Sequence, residues 1–287
     1  MEPEVSEIDK KYYAIVTKIR ENSFFDALTL IEEMLNELED YYDTLGKRVF
    51  CFEHILDTYY YTYFFKDAEK LEYSKYRMSE YYRAYGYINI KLERFDDAIK
   101  AYNRALYYNP VDLDSYLQLT ELYKKIGSIT SVKQINAEAY RFCCSRQSMA
   151  HYYRNLGFYY LETKRPDVAK ALYVYSNIYY ETKQALNEID FIDAAKESMP
   201  DQALVDRITN IKPEVKGLQE ILKSENINLG PNPDTIGITY RVGKIEFTNK
   251  NYDSAYDCFM LVYDLTLDEN VKKILDELKE IKEKPEK

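Results

Sequence analysis

The sequence predicts an all-α solenoid of stacked helical hairpins, and three observations carry that reading. At 287 residues the chain exceeds what a single compact core usually organises, which leaves either separate domains or a repeat array whose units pack on their neighbours. An internal period of glycine, alanine and aromatic residues selects the array. Helix breakers are sparse, with Gly and Pro at 8 each, and no stretch shows the turn-bounded alternation of an all-β chain.

The period reads as follows. Gly86 is followed by Ala98, Tyr102 and Ala105; Gly157 by Ala169, Tyr173 and Ser176; Gly243 by Ala255, Phe259 and Val262. The offsets from the glycine are 12, 16 and 19 in each. Gly86 and Gly157 lie 71 residues apart, about two helix-turn-helix repeats of ~34, so another unit belongs between them. Tyr116, Leu119 and Thr120 repeat Tyr82, Tyr85 and Gly86 at a distance of 34, Gly127 breaks the chain, and Val132, Ile135 and Ala139 mark the second helix. A small residue on one helix facing small residues on the next lets antiparallel helices approach closely. Tyr82/Tyr85, Tyr116/Leu119 and Tyr153/Leu156, three apart, share the buried stripe. The connections KLERFDD, KRPDV and NKNYDS are short and polar, as tight hairpins require.

The whole of 1–287 is expected to form one α-solenoid domain. Repeats fall at 79–112, 113–149, 150–182 and 236–268. A further repeat over 8–41 starts its second helix at Ser23 and Asp26 and continues through Ala27, Ile31 and Met34. Ala27 precedes Ala98 by 71, which asks for a degenerate repeat over 42–78. That segment holds the aromatic run from Tyr59 to Phe65, read as packed among neighbouring elements. An irregular helical insert covers 183–235, with helices near 201–211 and 213–225 and a turn at LGPNPD. A capping helix over 269–284 presents Val271, Ile274, Leu275, Leu278 and Ile281 on one face.

The segments YRAYGYINIKLERFDDAIKAYNRALYYNP and YRNLGFYYLETKRPDVAKALYVYSNIY resemble the tetratricopeptide repeat family, whose pattern runs aromatic, Leu-Gly, Ala, aromatic, Ala, Pro. Tyr82 stands where that family often has Trp, and Pro110 closes its unit. The resemblance spans 79–182 and 236–268 and implies a right-handed superhelix whose first helices line a concave, peptide-binding groove. The positions it implies for that groove are Arg83, Tyr87, Ile90, Leu117, Gln118, Glu121, Lys124, Arg154, Asn155, Phe158, Leu161, Tyr240, Arg241, Lys244 and Phe247. Such a groove is aromatic and partly basic in an acidic protein, which suits a partner protein or peptide with acidic or aromatic anchors. The same residues also suit an ordinary solvated surface or contact with a second copy of the chain. One family branch clamps the acidic tails of heat-shock chaperones with Lys and Asn. Its counterparts here are Arg83, Tyr87, Gln118, His151 and Asn155, of which Arg83 alone is a fair substitute, so that activity is not implied.

Composition limits the other function classes. A net charge of −10 without a basic block argues against nucleic acid. No run of 18 uncharged apolar residues occurs, and the start MEPEVSEIDKK lacks an apolar core, so a soluble, cytoplasmic protein without membrane contact is expected. Cys51, Cys143, Cys144 and Cys258 show no C-x-x-C spacing and read as reduced thiols. His54 and His151 lie apart from each other and from metal-ligand patterns, and no phosphate-binding glycine loop or nucleophile elbow can be built. No cofactor and no catalytic residue are expected. The function read from the sequence is a non-enzymatic binding scaffold or adaptor, with a ligand-responsive sensor or an assembly or secretion chaperone as alternatives. The 32 tyrosines, among many Lys, Ile and Asn, also fit a purely compositional origin in an AT-rich genome.

Overall fold

A computed structural model of the chain describes residues 6–66 and 71–283. Among the described residues the protein is all-α, with fifteen α-helices, one short 3-10 turn and a single isolated parallel bridge between Phe50 and Tyr73. The chain divides into two compact units, Met1–Leu122 and Tyr123–Lys287.

In the first unit α1 (Glu7–Arg20) pairs with α2 (Phe24–Leu45), and α4 (Met78–Lys91) pairs with α5 (Phe95–Tyr108), α2 packing along α4. The amphipathic logic is plain in α5, where Ala98, Ala101, Tyr102, Ala105 and Tyr108 form one buried stripe. Ile15, Ile31 and Met34 share a core with Met78, Tyr81, Ile88 and Tyr108. Between the pairs lies α3 (Ile55–Phe65), and α6 (Leu113–Lys125) runs up to and across the unit boundary.

In the second unit α8 (Arg146–Glu162) is packed on one side by α7 (Ile129–Tyr140) and on the other by α9 (Pro166–Tyr179). Three further helices, α10 (Lys183–Ala195), α11 (Gln202–Thr209) and α12 (Val215–Ser224), also pack on α9. That covering explains why α9 is buried almost all round, from Val168 through Leu172 to Tyr175 and Ser176. Even Lys170 is interior, donating to Asp193 at 2.8 Å and to the Ile208 carbonyl at 3.2 Å. The chain then forms the pair α13 (Pro233–Thr248) and α14 (Tyr252–Thr266), sealed by α15 (Glu269–Glu283) through Val271, Leu275 and Leu278.

The glycine period has a direct structural cause. A Cβ added at Gly86 would meet the Tyr102 ring at 2.6 Å, one at Gly157 the Tyr173 ring at 2.9 Å, and one at Gly243 the Phe259 ring at 3.2 Å. The residue at offset 16 thus lays its ring where a side chain on the first helix would stand. α1–α2 keeps the register with different chemistry, since Ile15 stands in the glycine position and Ala27, Ile31 and Met34 follow at 12, 16 and 19, all buried.

A second regularity lies in the turns. Asn22, Glu93, Gly127, Lys164 and Lys250 each adopt a left-handed conformation, with φ from 57° to 73°. Each occurs seven residues after Ile15, Gly86, Thr120, Gly157 or Gly243. In every case this residue donates its N–H three residues back and the next donates five back, as in Arg94 to Asn89 at 2.9 Å and Asn251 to Glu246 at 2.9 Å. This is the Schellman arrangement, and its last residue (Ser23, Arg94, Ser128, Arg165 or Asn251) is also the N-cap of the following helix. Glycine suits the left-handed position, whereas other L-residues lose about 1–2 kcal/mol there. Lys250→Gly should therefore raise stability by up to about 1 kcal/mol and Lys250→Val should lower it. The reverse order in urea melts would refute the assignment.

Two segments differ from expectation. The degenerate repeat over 42–78 is one helix rather than a hairpin in its described part. α2 extends through Leu45, and the flanks of α3 meet in extended form through Phe50 N–H to Glu72 at 2.8 Å and Ser74 N–H to Phe50 at 2.7 Å. Asp57, buried, organises the start of α3 by accepting from the Glu53 and His54 N–H groups and from Asn109. The aromatic run lies on α3, with Tyr60 and Tyr61 buried and Tyr59, Tyr63 and Phe65 exposed, so packing accounts for one face of it. In the insert, α11 and α12 fall where expected, but α10 precedes them. Its buried residues, Ala185 and Ile192, stand seven apart, too sparse a stripe to register as a period.

Three carboxylates that are partly withdrawn from solvent, Glu39, Asp167 and Asp193, are held below their ordinary range, as is the more open Asp97 beside Arg94 and Lys100. Burial alone would raise Glu39, but hydrogen bonds from Arg104, Tyr82 and Tyr108 outweigh it. Burial is likewise outweighed at Asp167 by Arg207 and Arg165, at 3.0 and 3.3 Å, and at Asp193 by Lys170 and Lys196, at 2.8 and 3.0 Å. A carboxylate whose folded pKa lies below its unfolded value adds stability above the unfolded value and loses it as pH falls through the folded one. The urea midpoint should stay level from about pH 7 to 5 and drop below about pH 4, and Asp167→Asn should shrink that acid loss. Equal midpoints at neutral and acid pH would show that these pairs carry no stability.

Candidate functional site

The positions singled out on the first helices of the repeats meet different fates, and the neighbours of each helix decide which. Arg83 is half-buried, and its guanidinium is held by Glu53 at 2.6 Å and Asp112 at 3.0 Å. Burial works against its charge, but the two carboxylates more than compensate and raise its pKa. Tyr87 is exposed, with Lys91 over its ring and Phe24 edge-on at 6.3 Å. Ile90 and Leu117 are half-buried and Gln118 is exposed.

In the second unit Asn155 is fully buried. It donates to Asn136 at 3.0 Å and accepts from Lys124, whose ammonium also stands 5.5 Å over the Phe158 ring. The reason is that α8 is covered on two sides, so the face next to its glycine stripe is packed against α7. Arg83, half-buried, and Asn155, buried, thus already have partners within the protein. Arg154 is half-buried with Nη1 3.5 Å from the Tyr180 carbonyl, and Phe158 is half-buried.

On α13 the expected residues remain together and accessible. Arg241 and Lys244 are exposed, Lys244 sits 5.3 Å over the Tyr240 ring, Tyr240 packs edge-on against Phe259, and Phe247 packs edge-on against Tyr252. Tyr240 also borders a cleft of 590 Å³ between the start of α13, the end of α14 and the start of α15. Pro231, Pro233, Ile236, Val262 and Val271 share its wall. Val262 and Val271 stand on the apolar faces read from the sequence, whereas Pro231, Pro233 and Ile236 come from a turn and a helix start that no repeated stripe marks. The Pro-Asn-Pro before α13 was the available signal. Rigid rings with two cations beside them can seat apolar or aromatic groups and pair with carboxylates.

The remaining chemistry-bearing groups have structural surroundings. Burial pushes the Cys143 and Cys51 thiols up and the Cys258 thiol up to about 11, so none of the three is a thiolate nucleophile at neutral pH. All four cysteines are free. His54 sits at the start of α3. Among the described residues no group of three or more His, Cys, Asp or Glu is arranged to hold a metal ion, and no helix is long and apolar enough to cross a membrane. Comparison with protein-family models and with curated proteins gave no match to this chain.

Proposed function

We propose that the chain is a tetratricopeptide-type solenoid that acts as a non-enzymatic scaffold for another protein or peptide in the cytoplasm, with the α13 face as its principal contact. The repeated Schellman turns and the stacking of a ring on a glycine support the repeat reading. The binding reading rests on one observation, the accessible Tyr240, Arg241 and Lys244 beside the proline-lined cleft.

The test is affinity purification of the full chain from its native host with mass spectrometry, followed by titration of each recovered partner against wild-type and an Arg241→Ala/Lys244→Ala variant. The variant should bind at least about ten-fold more weakly, since truncating charged anchors costs on the order of 1–3 kcal/mol. Equal affinity of both proteins for every partner would remove α13 as the contact face.

A further inference from the structure

We infer that the outer face of α3 is a self-association surface, on which a second copy of this chain packs about a two-fold axis at Tyr59. One side of the helix is occupied within its own unit. Leu56, Asp57, Tyr60 and Tyr61 are buried, and Tyr61 sits among Phe50, Phe52 and Phe65 with ring centroids at 4.7, 5.5 and 5.1 Å. The opposite side carries Ile55, Tyr59, Thr62 and Tyr63, spaced as i, i+4, i+7 and i+8, and all four are exposed. Phe65 and Tyr73, also exposed, extend that face at its edge, where Tyr73 stands edge-on to Phe52 at 6.1 Å.

Three observations select a second copy as the occupant. The first is spacing. Ile55 and Tyr63 lie four residues to either side of Tyr59, so two antiparallel copies crossing at Tyr59 set Ile55 against Tyr63 twice, the reciprocity that an isologous contact needs. Tyrosine hydroxyls both donate and accept, so Tyr59 can meet its own twin. The second is charge. The single formally charged side chain on α3 is Asp57, which is buried and bound by Asn109 and two backbone N–H groups. A protein of net charge −10 repels its own copies over most of its surface, and this stripe lets them meet without bringing like charges together. The residues at its two ends, Glu53, already held by Arg83, and Lys66, have opposite signs, and the antiparallel crossing turns one towards the other. The third is area. Ile55, Tyr59, Tyr63 and Phe65 are 37% to 43% exposed and Tyr73 is 58% exposed. With a large side chain burying roughly 200 Å² when fully covered, these residues on two copies would remove roughly 900 Å² from water. That lies at the small end of specific interfaces and fits a reversible dimer with a Kd of about 10–100 μM.

Sedimentation velocity of the full chain from about 2 to 200 μM tests this. The wild type should pass from a monomer of 34.2 kDa to a dimer over that range. Tyr59→Glu and Tyr59→Lys each place like charges on the axis and should stay monomeric throughout, whereas an equimolar mixture of the two should associate again. Tyr59 is exposed and both replacements are better helix formers than tyrosine, so loss of folding is not a competing explanation. Raising NaCl from about 50 to 500 mM should tighten the wild-type dimer by screening the repulsion between two acidic copies. Arg241→Ala/Lys244→Ala should dimerise like the wild type, which keeps this contact distinct from the α13 face. The inference is overturned by a wild type that is still monomeric at the top concentration, by a dimer that survives Tyr59→Glu, by a mixture that does not associate, or by a dimer that salt weakens. A natural partner lost on Tyr59→Glu while the wild type stays monomeric would give the face to that partner and overturn it as well.

Discussion

Gly86→Ala is expected to destabilise the first unit by about 1–3 kcal/mol, because the new methyl would stand 2.6 Å from a Tyr102 ring carbon in a core with no room to yield. Gly157→Ala should cost less, and Gly243→Ala least, following separations of 2.6, 2.9 and 3.1 Å to the nearest atom. Urea unfolding of the three variants tests the order, and a Gly86→Ala protein as stable as wild-type would disprove the close approach. The α1–α2 pair suggests a compensating exchange. Ile15 and Ile31 occupy the same two positions there, both fully buried, so Gly86→Ile combined with Tyr102→Ile should recover much of what Gly86→Ile loses alone.

The second large effect is expected at Tyr153. Its ring is wholly buried against Tyr152, Tyr175 and Tyr179, with centroids at 5.1, 4.8 and 5.6 Å. Its hydroxyl donates to the Asn228 carbonyl at 3.0 Å and accepts from the Gly230 N–H at 2.8 Å, and Tyr140 donates to the Gly230 carbonyl at 3.2 Å. Tyr153→Ala should cost about 3–5 kcal/mol by leaving a cavity. Tyr153→Phe keeps the ring and leaves two backbone groups of the 228–230 loop without their partner, for about 1–3 kcal/mol. Hydrogen exchange separates the two causes, since Tyr153→Phe should speed exchange at Gly230 far more than at amides of α9. Unchanged protection at Gly230 would show that the hydroxyl does not hold the loop.

Much of the hairpin architecture was legible because its determinants are local and repeated. Offsets of 12, 16 and 19 report which residues face each other across a turn of constant geometry. The α1–α2 pair kept those offsets but changed their chemistry to Ile15 and Ile31, which is why the glycine search alone did not place it. Residues 42–78 depart from the repeat for a different reason. Phase continuity asked for two helices, and nothing in the sequence announced that Phe50 and Tyr73 would pair across α3. The candidate face on α13 followed from spacing. The burial of Asn155 did not, because it depends on α7 covering a side of α8 that the repeat pattern leaves unspecified. The tyrosines have a structural account beyond composition wherever a hydroxyl closes a loop, as Tyr153 does.

The shared turn also bears on how this chain tolerates change. Because one residue both closes the first helix and caps the second, the link has no slack. Substitution there is broadly permitted, as Asn22, Glu93, Gly127, Lys164 and Lys250 demonstrate in a single register. Length is a different matter. One added residue would advance the second helix by about 100° and swing Tyr102 or Tyr173 off its glycine. The usual association of insertions with loops is therefore inverted at these five points. Growth of the chain is then easier by whole hairpins, or outside these five turns, than by single residues within them.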